Sequence, residues 1–177
     1  MRKLQNEELG RPSLEEFRER EKLPLVIVLD NVRSMNNVGS IFRTADAFAL
    51  EAIWLCGITG QPPHREIEKT ALGATSSVAW EYTRQTGQAL TALKQAGYRL
   101  LAVEQTDQSL RLDKFVPLEK EKYAFIFGNE VNGVSQEAIE IAGASLEIPQ
   151  FGTKHSLNVA VSAGILVWDY YLKRRYR

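Results

Sequence analysis

Three short segments concentrate the residues that could do chemistry. Residues 36–39 (NNVG) precede a helical pattern that carries Arg43, residues 128–135 (GNEVNGVS) follow an apolar run, and residues 148–158 (IPQFGTKHSLN) join a short strand to a long apolar segment. Amides and carboxylates orient ligands by hydrogen bonds, and glycine lets the backbone approach a ligand closely. These segments are therefore the candidate binding or catalytic loops.

Several familiar kinds of site do not fit the second segment or the rest of the chain. The two glycines and Ser135 have the spacing of a phosphate-binding loop, but Val134 stands at the lysine position and Glu130 would repel phosphates. No Gly-x-Gly-x-x-Gly or Gly-x-Ser-x-Gly pattern supports hydride transfer or a serine nucleophile. Two histidines and the single Cys56 predict no metal site. A tight strand-to-helix turn capped by Ser135 is the competing interpretation of this segment.

Three polar residues of these segments also have a purely structural interpretation. Arg43 could pair with Asp46, one helical turn further on. Ser156 is the predicted N-cap of the last helix, which places Asn158 in the first turn. Asn158 must then find hydrogen-bond partners, either in the backbone of neighbouring loops or in a ligand.

Strands and helices alternate along the chain, which predicts an α/β domain with a mainly parallel sheet flanked by helices. Ligands bind beyond the carboxyl ends of such strands, so the loops after Asp30, Glu104, Phe127 and Pro149 are the expected site. The predicted strands are residues 25–30, 52–56, 79–83, 98–104, 123–127 and 145–149, and the predicted helices are residues 13–22, 37–48, 65–69, 88–95, 135–141 and 156–173.

The last predicted helix carries two apolar stripes side by side. One stripe would be enough to dock a helix on a sheet, so two stripes predict burial on nearly all sides. Either a central core helix or a helix that also packs across a homodimer interface would satisfy this pattern. The first stripe is Leu157, Val161, Ile165, Trp168 and Leu172, and the second is Ala160, Ala163, Gly164, Val167 and Tyr171.

Length and charge limit the class of protein. The 177 residues fit one domain, with 22 basic and 22 acidic side chains. Residues 104–147 carry four basic and nine acidic side chains, whereas residues 151–177 carry five and one and end in KRRYR. This basic end is either a solvated helix terminus or part of a nucleic-acid surface. No membrane span or secretory signal is visible, so a cytoplasmic protein is expected.

Taken in order, the three segments resemble the motifs of the SpoU/TrmH family of RNA ribose methyltransferases, in the SPOUT superfamily. Residues 37–45 (NVGSIFRTA) are similar to the first motif, residues 128–135 to the second, and residues 148–149 with 156–159 (IP and SLNV) to the third. The resemblance covers about residues 24–175. Gln150 stands where Met is common and Ala160 where Ser is common, which bears on the subfamily.

The resemblance implies a SPOUT domain over residues 23–177, with a C-terminal trefoil knot, preceded by a helical extension at residues 1–22. It also implies a homodimer through the C-terminal helix, without membrane or metal, that binds S-adenosyl-L-methionine. The expected activity is methyl transfer to a ribose 2′-OH of a structured tRNA or rRNA. There are two alternatives to this activity: a SPOUT relative that methylates an RNA base, and a catalytically inactive RNA-binding protein.

The resemblance also assigns residues to roles. Arg43 would contact the reacting hydroxyl and an adjacent phosphate, or serve as the base, and Glu130 would orient Arg43 or take the proton. The RNA-binding residues would be Arg33, Arg43 and Lys154. The catalytic set implied is Arg43, Asn37, Glu130, Ser156 and Asn158, and the cofactor-binding set is Ala102, Glu104, Gly128, Asn129, Gly133, Ile148, Gln150, Ser156 and Leu157.

Overall fold

A computed structural model describes residues 1–176, and the side chain of every one of them except Asn6. Its centre is a seven-stranded parallel sheet in the order β3-β2-β1-β6-β4-β7-β5. The strands are β1 Leu23–Asp30, β2 Leu50–Cys56, β3 Trp80–Thr83, β4 Tyr98–Val103, β5 Leu110–Arg111, β6 Lys122–Phe127 and β7 Ser145–Glu147. The helices are α1 Leu14–Glu19, α2 Met35–Ala47, α3 Arg65–Ala71, α4 Ala74–Ser77, α5 Thr86–Gln95, α6 Gln136–Ala142 and α7 Val159–Arg175.

Strand β1 shows why the sheet is covered on both faces. Leu25, Ile27 and Leu29 join a core formed with α2, α3 and α7, whereas Val26 and Val28 join a second core formed with α5 and α6. Successive side chains of a strand point to opposite faces, so a continuous apolar run needs a layer of helices on each side. The α/β class with a mainly parallel sheet is confirmed.

Helices α2, α5 and α7 begin at residues other than those predicted, and in α2 and α7 a side chain just before the first helical residue caps the helix. Ser34 accepts a hydrogen bond from the backbone N–H of Asn37, so α2 begins at Met35. Asn158 accepts hydrogen bonds from the N–H groups of Ala160 and Val161, so α7 begins three residues later than expected. The prediction that Ser156 caps α7 is therefore wrong.

Helix α7 is buried on one side rather than on nearly all sides. Ala163, Val167 and Tyr170 are buried against the sheet and α2. The first apolar stripe faces outward instead, and the exposed fraction is 51% for Val161 and 50% for Trp168. A central core helix is therefore excluded within a single chain. No helix among residues 1–176 has the length and apolar character to cross a membrane.

Candidate active site

A cavity of about 580 Å³ opens beyond the carboxyl ends of β4, β6 and β7. Its walls come from residues 103–105, from residues 127–133 and from residues between 146 and 159, with Ser162 added by α7. Two of the three segments identified from the sequence therefore line one cavity, and the third lies next to it. The volume and the position at this edge of a parallel sheet suit a ligand of cofactor size.

Most of the predicted cofactor-binding residues line this cavity. The exception is Ala102, which is fully buried in the core beneath α5 and α6, whereas the next residue, Val103, faces the cavity. The alternation of side chains along β4 places the two residues on opposite faces of the sheet. The residues that line the cavity as predicted are Glu104, Gly128, Asn129, Gly133, Ile148, Gln150, Ser156 and Leu157.

The loop after β6 folds back on itself at the cavity wall. The backbones of Asn129 and Gly133 exchange hydrogen bonds of 3.1 and 3.0 Å, and the Asn129 side chain accepts the N–H groups of Val131 and Asn132. A Cβ at Gly128 would lie 1.9 Å from the carbonyl carbon of Gly133. Gly128 is thus required by the loop's own backbone, rather than by the close approach of a ligand that the sequence suggested.

Two carboxylates hold this loop from below. Glu104 at the end of β4 accepts the Val134 N–H at 3.0 Å. Asp30 at the end of β1 is 1% exposed and accepts the Ser135 N–H at 2.9 Å as well as the Thr86 hydroxyl at 2.6 Å. Asp30 is not among the site residues predicted from the sequence. The sequence pattern that could have identified Asp30 is a single acidic residue at the end of an apolar strand. A carboxylate buried at that position needs hydrogen-bond donors from neighbouring loops.

A chain of hydrogen bonds links the three motifs at the edge of the cavity. The Asn37 side-chain amide donates to Glu130 at 3.0 Å, and the Asn37 side-chain oxygen accepts the Asn158 amide at 3.1 Å. Asn158 uses its own oxygen to cap α7. These contacts join residues 93 and 121 positions apart in the chain.

The hydrogen bonds of Glu130 favour the ionised form of its carboxyl. Burial alone would raise the pKa of its carboxyl, but hydrogen bonds from the loop backbone, the Asn37 side chain and the N–H groups of Arg33 and Ser34 lower that pKa below the ordinary value of 4.5. The carboxylate therefore fixes the start of α2 against the loop after β6. Within one chain, Glu130 makes no hydrogen bond or ion pair with Arg43 among the described residues.

Arg43 lies outside the cavity. Its exposed side chain sits in a shallow pocket with Thr44, Phe48 and Lys69, and it forms no ion pair with Asp46, whose carboxylate accepts the Ser77 hydroxyl instead. Arg43 is six positions after Asn37 in the helix, which is about 1.7 helical turns and roughly 9 Å of rise. A single chain therefore brings together Asn37, Glu130 and Asn158, with Ser156 on the cavity wall, but not Arg43.

The predicted RNA-binding residues Arg33 and Lys154 have exposed side chains beside the candidate site. The basic tail is partly engaged: Lys173 donates to the Leu112 carbonyl, and Arg174 donates to the carbonyl of Leu118. The final residue of that tail, number 177, lies outside the described residues. Residues 1–176 contain no group of three or more His, Cys, Asp or Glu side chains arranged to hold a metal ion.

The fold and this site define a class of α/β proteins with a cavity at the carboxyl ends of parallel strands. The chain matches the profile of the SpoU rRNA Methylase family over residues 24–168 and belongs to that family. The family predicted from the three motifs is thus confirmed.

Individual relatives agree with this assignment. The chain is 30% identical over 144 residues to the 23S rRNA (guanosine-2′-O-)-methyltransferase RlmB of Neisseria meningitidis, covering 81% of this chain and 56% of that protein. It is 30% identical over 156 residues to the tRNA (guanosine(18)-2′-O)-methyltransferase of Aquifex aeolicus, covering 88% and 72%. The structure of an AdoMet-bound rRNA methyltransferase from Sinorhizobium meliloti superposes with a TM-score of 0.78 at 28% identity, covering 87% of this chain and 59% of that one.

Proposed function

We propose that this protein transfers a methyl group from S-adenosyl-L-methionine to a ribose 2′-OH of tRNA or rRNA. The observation that carries the proposal is the hydrogen-bonded chain Glu130–Asn37–Asn158 beside a cofactor-sized cavity. The Neisseria and Aquifex relatives are named as guanosine-2′-O-methyltransferases, which supports the reaction class. This chain spans 56% of the length of the first and 72% of the second, so the proposal concerns the domain they share.

The cavity fits the cofactor in size and in charge. Glu104, Glu130 and Glu147 line it, and no Lys or Arg does among the described residues. An anionic wall favours a cationic sulfonium ligand. The residues that would hold the cofactor are Gly128, Asn129, Ile148 and Leu157. The first two belong to the loop after β6, whose backbone is fixed by its own hydrogen bonds. When bound, S-adenosyl-L-methionine supplies a methyl group on a positively charged sulfur that is a good leaving group.

The residues of the chain would position the ribose and manage its proton. Transfer requires the 2′-oxygen about 3 Å from the methyl carbon and in line with the breaking bond. Asn37 and Asn158 are joined by a hydrogen bond, and Asn158 lines the cavity. Glu130 is the ionised group of this network and is the candidate proton acceptor. Arg43 stays protonated in proteins, so it would stabilise the forming oxyanion and an adjacent phosphate.

Arg43 would reach the cavity of a second copy of the chain. The outward stripe formed by Val161 and Ile165 of α7, with Leu157 just before the helix, supports a homodimer, because each of these apolar side chains is at least 38% exposed. Gly164 lies next to this stripe, and a Cβ there would meet nothing within 4 Å in the single chain. A glycine inside a helix costs about 0.5–1 kcal/mol relative to Ala, which a close helix crossing would explain.

The trefoil knot and the cytoplasmic location belong to the proposal as well. Support for the knot comes from the strand order, which places β6 between β1 and β4, and from the Gln105 side-chain amide, which donates to the carbonyl of His155 in the segment before α7. That contact ties the segment to the loop after β4, as a threaded chain would require. The location rests on the sequence pattern alone.

The decisive test compares nucleosides from total tRNA and rRNA of cells with and without the gene by mass spectrometry. We expect one 2′-O-methyl nucleoside to disappear, and complete retention of all of them would contradict the proposal.

Purified Arg43→Ala should keep its cofactor affinity and lose roughly 10²-fold or more in turnover, since one charge-stabilising donor is removed. Arg84→Ala, an exposed arginine after β3, is the matched control.

A further inference from the structure

A second and larger cavity, of about 880 Å³, lies at the amino ends of the strands, at the edge of the sheet opposite the candidate active site. We call it the N-terminal groove. Its walls are residues 11–14, Phe17 and residues 20–24, together with residues 46–49 at the end of α2, Ser77, and residues of the last two turns of α7 between Trp168 and Arg175. The family match covers residues 24–168, so the walls at residues 11–23 and 171–175 lie outside it.

The groove is basic although the whole chain is neutral. Five cationic residues line it against two acidic ones, Glu21 and Asp46, and Asp46 already accepts the Ser77 hydroxyl. Arg11, Arg20 and Arg175 are exposed, and within residues 1–176 their side chains make no hydrogen bond or ion pair with the protein. The cationic residues are Arg11, Arg20, Lys22, Arg174 and Arg175.

The floor of the groove is aromatic. Trp168 stacks on Tyr171 with ring centroids 5.8 Å apart, and Phe48 contacts Tyr171 at 5.5 Å. Trp168 is half exposed, and the Arg175 guanidinium lies 5.7 Å from the centre of the Tyr171 ring. A basic groove with an exposed aromatic ring suits single-stranded nucleic acid, with phosphates on the cations and a base on the ring.

We propose that the N-terminal groove binds a single-stranded segment of the RNA substrate, away from the nucleotide that is methylated. This inference rests on the proposed function, which supplies the RNA. The dipole of α7 would account for cations at its own end, but it does not account for Arg11 and Arg20, which come from another segment. A second copy of the chain would bring the same charges against each other across a two-fold axis, so the groove does not suit the centre of a homodimer interface.

The groove gives the first 22 residues a role. Ser13 and Glu16 form a capping box that starts α1, and Phe17, which is 7% exposed, anchors this helix in the floor. Arg18 donates to the carbonyl of Ser76 and ties α1 to α4. These contacts fix Arg11 and Arg20 on either side of α1, so that both cations face the groove.

The test measures binding of a fluorescein-labelled oligouridine to the full chain without cofactor, over a series of salt concentrations. The double variant Arg11→Ala/Arg20→Ala should lose about tenfold in affinity, and the log–log salt slope should fall by about 1.4, since each phosphate contact in a single strand contributes roughly 0.7. Arg175→Ala, on the opposite wall, should show half of that change in slope. The control Arg84→Ala/Lys94→Ala removes two exposed cations on the α5 side of the sheet.

The outcomes separate this inference from the proposed function. Unchanged affinity and salt slope in both groove variants would overturn the inference. A change in oligomeric state at unchanged oligouridine affinity would also overturn it and would assign the groove to a protein interface. If the groove variants lose oligouridine binding but the wild-type protein methylates no RNA, the groove remains an RNA-binding site and only the methyltransferase proposal fails. Cofactor affinity should be the same in all variants.

Discussion

Glu130 joins the start of α2 to the loop after β6 through its carboxylate, which accepts three hydrogen bonds from Asn37, Arg33 and Ser34. From the sequence, Glu130 was expected to orient Arg43 or take a proton. The orientation of Asn37 was not foreseeable, because it depends on two loops 93 residues apart meeting in space. The sequence motifs predicted that Asn37, Glu130 and Asn158 belong to one site, and the structure joins them by hydrogen bonds whose partners the sequence did not indicate.

The lowered pKa of Glu130 predicts how its contribution to stability depends on pH. The carboxyl titrates below 4.5 in the folded protein and near 4.5 in the unfolded chain, so the stabilisation is present above pH 4.5 and is lost as the pH falls through the lowered folded value. Chemical denaturation of the wild type and of Glu130→Gln should therefore show a stability difference that is constant near neutral pH and shrinks below pH 4.5. Glu81→Gln, an exposed carboxylate in β3, is the control, and a Glu130 difference independent of pH would refute this account.

Most strands and helices followed from local patterns, because an apolar run or a helical stripe is a property of adjacent residues. The two-residue strand β5 was missed, since Leu110 and Arg111 are exposed and become a strand only by pairing with β7. The starts of α2 and α7 were misplaced for the same kind of reason. Which side chain caps a helix depends on the folded backbone around its start, and there Ser34 caps α2 and Asn158 caps α7.

Adding a single methyl group at Gly128, in the loop after β6, should strongly reduce the stability of the protein. Gly128→Ala would place a Cβ 1.9 Å from the Gly133 backbone, which cannot rotate away as a side chain could. We expect a loss of about 1–3 kcal/mol in the free energy of unfolding and weakened cofactor binding, since overpacking forces the backbone to shift. Gly152→Ala is the matched control, because its Cβ would meet nothing within 4 Å. Equal stability of the two variants would show that the loop is more adaptable than its hydrogen bonds indicate.

The distribution of charge over the surface and the uncovered apolar face of α7 cannot be read from the overall composition of the chain. A formal charge of zero conceals a groove with five cations and a separate cavity with three carboxylates. The two stripes of α7 correctly indicated two apolar faces, but only one of them is covered within a single chain. The uncovered face and the position of Arg43 outside the cavity both support the proposal that the catalytic set is completed between two copies.

A mixing experiment tests this conclusion directly. Arg43→Ala and Asn158→Ala should each be inactive as homodimers, the first lacking the arginine and the second the organised cavity edge. If Arg43 acts on the cavity of the other copy, a mixed dimer contains one site with both residues intact. Equal amounts that exchange freely should then regain about a quarter of the wild-type activity, because half of the dimers are mixed and one of their two equivalent sites works. If Arg43 acts within its own chain, every site in the mixture keeps one defect and no activity returns.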